Sequence, residues 1–200
     1  MAPTAACAVR ALSFACRLID GCQIRVAARP GGPSVALRLT EPLFGHTLPA
    51  VVDQEKQLQI HASCVELGGT GVLLLGDSGS GKSDLALRLI DAGGRLVADD
   101  RTDLRREGTR LIASPPATIA GRIEVRGLGI VPVAHVACSP VVLAVDLVAP
   151  DRVERMPVAQ YRSWLGIDIP LVALDPFQAS AAAKIRLAAR EAARGRMFAA

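Results

Sequence analysis

The sequence predicts an α/β fold with a mixed, twisted sheet, and three observations carry that reading. A short apolar run, Val72-Leu73-Leu74-Leu75, leads into Gly76-Asp77-Ser78-Gly79-Ser80-Gly81-Lys82-Ser83, which leads into Asp84-Leu85-Ala86-Leu87-Arg88-Leu89-Ile90. The three segments read as a buried strand, a glycine-rich loop and a helix. Further apolar stretches at residues 95–98 and 141–148 supply more strands for the same sheet.

Taken in order, residues 1–57 stand apart. They carry Pro3, Pro30, Gly31, Gly32, Pro33, Pro42 and Pro49 and show no sustained period of 2 or 3.6. They are expected to be a poorly ordered extension, or one added upstream of the true start, with short strands at 25–28 and 35–39 around the Pro30–Pro33 turn. The compact domain is expected over residues 58–200. Residues 58–67 open with apolar side chains at alternate positions (Leu58, Ile60, Ala62, Cys64) and read as one strand ending at Gly68-Gly69. The strand Thr70–Leu75 feeds the loop, and a helix over 82–92 is stopped by Gly93-Gly94. A short strand at 95–98 runs into Asp99-Asp100. Residues 102–106 and 109–113 read as a hairpin across Glu107-Gly108. Residues 114–137, rich in Pro and Gly, read as a mobile loop with short strands around Arg122–Val125. A central strand at 141–148 and a closing helix at 178–194, rich in Ala and Arg, complete the domain.

The loop carries the chemistry. Its G-x-x-x-x-G-K-S pattern is that of phosphate-binding loops in nucleoside-triphosphate enzymes, and it has the strand–loop–helix context that the pattern requires. Glycines let successive N–H groups turn toward one anion, and the helix that follows points its positive end at the same place. Lys82 adds a mobile cation and Ser83 a hydroxyl for Mg2+. Lysine occurs only at Lys56, Lys82 and Lys184, arginine having taken most basic positions. A lysine kept here is therefore informative. The implied ligand is a nucleotide held by Gly76, Asp77, Ser78, Gly79, Ser80, Gly81, Lys82 and Ser83.

Composition excludes several classes. A formal charge of +4, spread without a basic block, argues against nucleic-acid binding. No apolar run is long enough to span a bilayer. The opening 22 residues are apolar but interrupted by Arg10 and Arg17, which argues against an export segment. Cys7, Cys16, Cys22, Cys64 and Cys138 fall in no metal or redox spacing, as expected for reduced thiols in the cytoplasm.

Outside the loop, Asp99-Asp100 closes the strand that ends at Ala98. A carboxylate at the carboxyl end of such a strand faces the metal or the attacking nucleophile. Adjacent side chains on extended backbone point to opposite faces, so one of the two is expected to reach the reaction centre. His61 stands before the loop, Glu124 and Arg126 lie in Ile123-Glu124-Val125-Arg126-Gly127-Leu128-Gly129-Ile130, and Arg155 follows the central strand. Taken singly, each fits an ordinary structural role as well as a catalytic one.

Together, His61, the G-D-S-G-x-G-K-S loop, L-V-A-D-D and I-E-V-R-G-L-G-I resemble the catalytic domain of the bacterial HPr kinase/phosphorylase family, over about residues 58–160. The resemblance implies a fold of the HPr kinase/phosphoenolpyruvate carboxykinase type. It implies an ATP- and Mg2+-dependent kinase acting on a serine of HPr, the phosphocarrier of the sugar phosphotransferase system, with reverse phosphorolysis in many members. It also implies residue roles. Asp100 is the catalytic base, Lys82 neutralises the transferring phosphoryl group, and Ser83 and Glu124 are Mg2+-linked. His61 tunes the base, and Arg155 matches the arginine of the family's D-R-L-G segment. Full-length relatives form hexamers, so self-association is implied as well. The chain departs from the family in the loop before the last helix, here Leu174-Asp175-Pro176-Phe177-Gln178-Ala179-Ser180, which lacks an arginine linked with dephosphorylation. Its short layout resembles the alphaproteobacterial forms. Two further readings stay open: a nucleotide-binding regulator that engages HPr or a signalling partner without efficient turnover, and a small-molecule kinase of the related carboxykinase fold.

Overall fold

A computed structural model describes residues 57–197, and the expectations for residues 1–56 lie outside that range. Eleven strands and two helices follow in the order β1 Gln57–His61, β2 Ser63–Leu67, β3 Thr70–Leu75, α1 Lys82–Asp91, β4 Arg95–Ala98, β5 Arg101–Glu107 and β6 Arg110–Ser114. Then come β7 Arg122–Val125, β8 Gly129–Pro132, β9 Ser139–Leu147, a 3-10 turn Pro150–Arg152, β10 Gln160–Trp164, β11 Ile167–Leu174 and α2 Ala181–Ala193. Nine of the strands form one mixed sheet in the order β1-β5-β6-β9-β3-β2-β4, with β11 joined to β9 and β10 to β11; β7 and β8 form a separate hairpin.

The parallel centre of the sheet is β3-β9-β11. Burial on both faces explains the continuous apolar runs of β3 and β9. Alternation then divides the core in two. Val72 and Leu74 of β3, Leu143 and Val145 of β9, Val65 and Leu96 pack with Leu85, Leu89 and Ile185 of the two helices. Their neighbours Leu73, Leu75, Ala144, Cys64 and Val97 pack on the other face with Leu104, Leu111, Trp164 and Ile169. The sheet curls so that β1, β5 and β6 cover this second face.

The structure corrects three expectations. Residues 58–67 form two strands rather than one. β1 pairs with β5 and β2 with β3 and β4, because the chain changes partners at the fully buried Ala62. Residues 114–137 are more regular than a mobile loop: Ile123↔Val131 and Glu124↔Ile130 pair in a hairpin whose Ile123 is buried against the helices. The closing helix begins three residues later than expected, at Ala181, since the preceding residues form a turn on α1.

Candidate functional site

The site is built where β3 turns into α1. The first helical hydrogen bond is Leu85 N–H to Gly81 O at 3.0 Å, so the amides of Gly81, Lys82 and Ser83 open the helix without a main-chain acceptor. Gly81 caps the helix at φ 90°, a left-handed conformation that a larger residue would adopt only with strain. The Lys82 ammonium folds back over the loop and donates to Gly76 O at 2.9 Å and Asp77 O at 2.8 Å. Burial pulls its pKa below the ordinary lysine value, while the carboxylates of Asp100, Asp99 and Asp77 oppose that shift. Ser80 Oγ, packed against Gly76 within the loop, is buried without a hydrogen-bond partner.

β4 delivers two carboxylates to this loop. Asp99 is buried and accepts from Ser63 Oγ at 2.7 Å, Ser83 Oγ at 2.9 Å and the Glu124 amide at 3.2 Å. One side chain thus ties together β2, the start of α1 and the β7–β8 hairpin. Asp100 faces solvent, and its carboxylate lies 3.4 Å from His61 Nδ1. Its backbone is at φ 64°, inside a three-residue turn closed by Arg101 N–H to Asp99 O at 2.7 Å. Left-handed aspartate costs about 1–2 kcal/mol. Strain of this kind collects at sites where a side chain must be aimed.

The expectation of extended backbone at this pair is therefore corrected. The γ-turn at Asp100 redirects the chain. Asp99 reaches the Ser83 hydroxyl, and the Asp100 charge acts on Lys82. Asp99, the other member of the strand-end pair, receives no role of its own in the sequence reading. The available signal was its place at the end of a buried strand, one residue before a candidate base.

The structure brings His61, Lys82, Ser83, Asp99 and Asp100 together. Glu124 joins them through its main chain, its side chain being exposed. Arg155 lies on the exposed segment between the 3-10 turn and β10 and makes no hydrogen bond or ion pair with a described residue. Arg126, at the end of β7, reaches the loop instead: its Nη2 lies 3.9 Å from where a methyl on Gly79 would stand.

Mg2+ prefers hard oxygen ligands, and it commonly binds through one or two carboxylates together with substrate phosphates. Among the described residues no group of three His, Cys, Asp or Glu side chains forms a protein-only metal cage. The oxygens that are present, Ser83 Oγ and the Asp99 carboxylate side by side, fit Mg2+ carried in with a phosphate ligand. No described helix is long and apolar enough to cross a membrane.

Comparison with known proteins identifies a family. A family model described as the HPr Serine kinase C-terminal domain matches residues 53–189. The HPr kinase/phosphorylase of Clostridium tetani is 47% identical over 100 residues, covering 50% of this chain and 32% of the relative. That of Prosthecochloris aestuarii is 34% identical over 163 residues, covering 74% of this chain and 48% of the relative. The chain thus spans less than half the length of these relatives. The solved structure of the Hpr(Ser) kinase/phosphatase from Coxiella burnetii superimposes with a TM-score of 0.62 at 32% identity, covering 70% of this chain and 92% of that one.

Proposed function

The chain belongs to the HPr serine kinase C-terminal domain family, and from that premise we propose that it is an ATP- and Mg2+-dependent serine kinase that phosphorylates HPr in the cytoplasm. The observation that carries the proposal is the clustering of Lys82, Ser83, Asp99, Asp100 and His61 around one helix N-terminus.

In this reading the loop amides and Lys82 hold the triphosphate, and Lys82 exchanges its two carbonyl partners for phosphate oxygens. Phosphoryl transfer is mostly positioning and charge compensation, so these contacts supply much of the catalysis. Ser83 and Asp99 would hold Mg2+, with Glu124 nearby; the ion supplies charge neutralisation on the phosphates. Asp100 accepts the proton of the HPr serine hydroxyl. The serine oxygen then bonds to the γ-phosphorus, the bond from that phosphorus to the β–γ bridging oxygen breaks, and ADP leaves with the electron pair. His61 beside Asp100 orients the carboxylate toward the hydroxyl. In the reverse direction inorganic phosphate attacks the seryl phosphorus, Asp100 returns the proton to the serine oxygen, and pyrophosphate leaves. Self-association, as implied by the family, belongs to the same proposal.

The test is incubation of the purified full chain with ATP, Mg2+ and the cognate HPr, followed by mass analysis of HPr peptides. One phosphoryl group on a serine is expected, absent with Lys82→Ala. HPr that binds with measurable affinity but gains no phosphate under any nucleotide or metal condition would replace the kinase with a nucleotide-sensing regulator. The altered loop at 174–180 favours that alternative. Phosphorylation of a small molecule in place of HPr would point to the carboxykinase-like reading.

A further inference from the structure

We infer that Phe177 is the stacking platform for the base of the nucleotide, and that it fixes which end of the glycine loop receives the base and which the γ-phosphoryl group. The inference rests on the proposal that the loop binds a nucleoside triphosphate, and deepens it.

Aromatic residues make up 3% of this chain. A solitary exposed phenylalanine needs no explanation in itself. Phe177, however, is 70% exposed while being held in place against the loop. A methyl group on Gly81 would lie 3.2 Å from Phe177 Cζ and 3.4 Å from Pro176 Cβ. The ring thus rests on the residue that caps α1, beside the unpaired amides.

Four hydrogen bonds hold it there. The Phe177 amide donates to the buried Asp175 carboxylate at 3.0 Å. Arg88 of α1 donates to Pro176 O and, at 3.4 Å, to Gln178 O, while Asp84 anchors Arg88 from the preceding turn. Lys184 of α2 donates to the Gln178 side chain at 2.7 Å. The segment is therefore clamped to both helices, and the ring is presented on a fixed support. Stacking against such a ring costs little ordering entropy.

The two flanks of the loop differ in chemistry. Beside Gly79 stands the Arg126 guanidinium, and the charges of Asp100 and Asp99 act on Lys82. Beside Gly81 stand a proline and a phenylalanine. A nucleoside triphosphate is asymmetric in the same sense, carrying its charge at one end and a flat apolar ring at the other. Matching them places the base over Phe177 and the γ-phosphoryl group beside Arg126, Lys82 and Asp100. Base–aromatic stacking accepts every base, since each has a π-face, so this contact selects for a nucleoside rather than for adenine.

The experiment is calorimetric titration of the full chain with ATP and, separately, with inorganic tripolyphosphate, each with Mg2+. In Phe177→Ala, ATP affinity should fall on the order of tenfold, the loss of one stacked base, while tripolyphosphate affinity stays unchanged. Phe177→Trp should restore ATP binding, and its fluorescence should change with ATP but not with tripolyphosphate. Unchanged ATP affinity in Phe177→Ala overturns the inference and leaves nucleotide binding standing. An equal loss for both ligands means that the ring only props the loop, and overturns it as well. A wild-type chain that binds neither ligand removes the nucleotide proposal itself, and the inference with it.

Discussion

The Ser83 hydroxyl donates to Asp99 across 2.9 Å, joining the first turn of α1 to the end of β4. The same carboxylate accepts from Ser63 Oγ and the Glu124 amide. A buried acceptor shared by three donors is costly to delete, because each donor is left without a partner. Asp99→Ala is expected to lower unfolding stability by about 2–4 kcal/mol, read from urea denaturation. Asp99→Asn, which keeps one acceptor oxygen, should lose less. A change below about 0.5 kcal/mol in Asp99→Ala would mean that the network does not hold the loop to the sheet.

Lys82 gives the site a pH dependence whose sign follows from its burial. Its folded-state pKa lies below the ordinary value of 10.5, chiefly through desolvation. A cation of this kind opposes folding while it is charged. That cost is fully present below the folded pKa and is relieved as pH rises through it toward the unfolded value. The empty protein should therefore gain stability relative to Lys82→Met as pH climbs from neutral toward that of free lysine. Triphosphate affinity should fall over the same window, because the neutral amine no longer attracts phosphate. Parallel stability curves for the two proteins across this range would contradict the assignment.

The two-faced core makes a third test possible. Leu74 packs with the helices and its neighbour Leu73 with the curled side of the sheet, both fully buried. Leu74→Ala and Leu73→Ala should each cost about 2–5 kcal/mol, as expected for cavities in a close-packed core. The double variant should come close to the sum, since the side chains lie on opposite faces. Strong non-additivity in chemical denaturation would show that the two faces do not pack independently.

The strand, loop and helix from Thr70 to Asp91 were legible in the sequence because burial, glycine spacing and helical period agree there. The hairpin β10–β11 was not. Most of β10 is exposed, which removes the apolar alternation that would announce a strand. β11 contains Pro170, which reads as a strand breaker. It is tolerated because at that position β11 pairs only with β10, and the pairing with β9 starts at Leu171. The turn between them holds Leu165 at φ 53°, where glycine or asparagine would have signalled a hairpin.

The site divides in the same way. Lys82 and Ser83 stand out through local pattern, and the Asp99-Asp100 pair through its place at a strand end, with Asp100 singled out by the resemblance. The partners of Asp99 and the placement of Phe177 do not, because they depend on contacts between distant segments. The γ-turn that separates the two aspartates has no glycine to mark it, and the Arg88 clamp joins residues 88 apart or more.

The central claim is that the chain grips a triphosphate through Lys82 while Asp100 takes the proton of a serine hydroxyl. Its most direct test compares Asp100→Asn with the wild type in two measurements, ATP affinity and the single-turnover rate of phosphoryl transfer to HPr. Asparagine tolerates the left-handed backbone at this position, so the loop should remain intact. The expected result is ATP affinity within about threefold of wild type and a transfer rate lower by roughly 10²–10⁴, the usual contribution of a general base. A transfer rate unchanged by Asp100→Asn, with HPr still phosphorylated on serine, would contradict it.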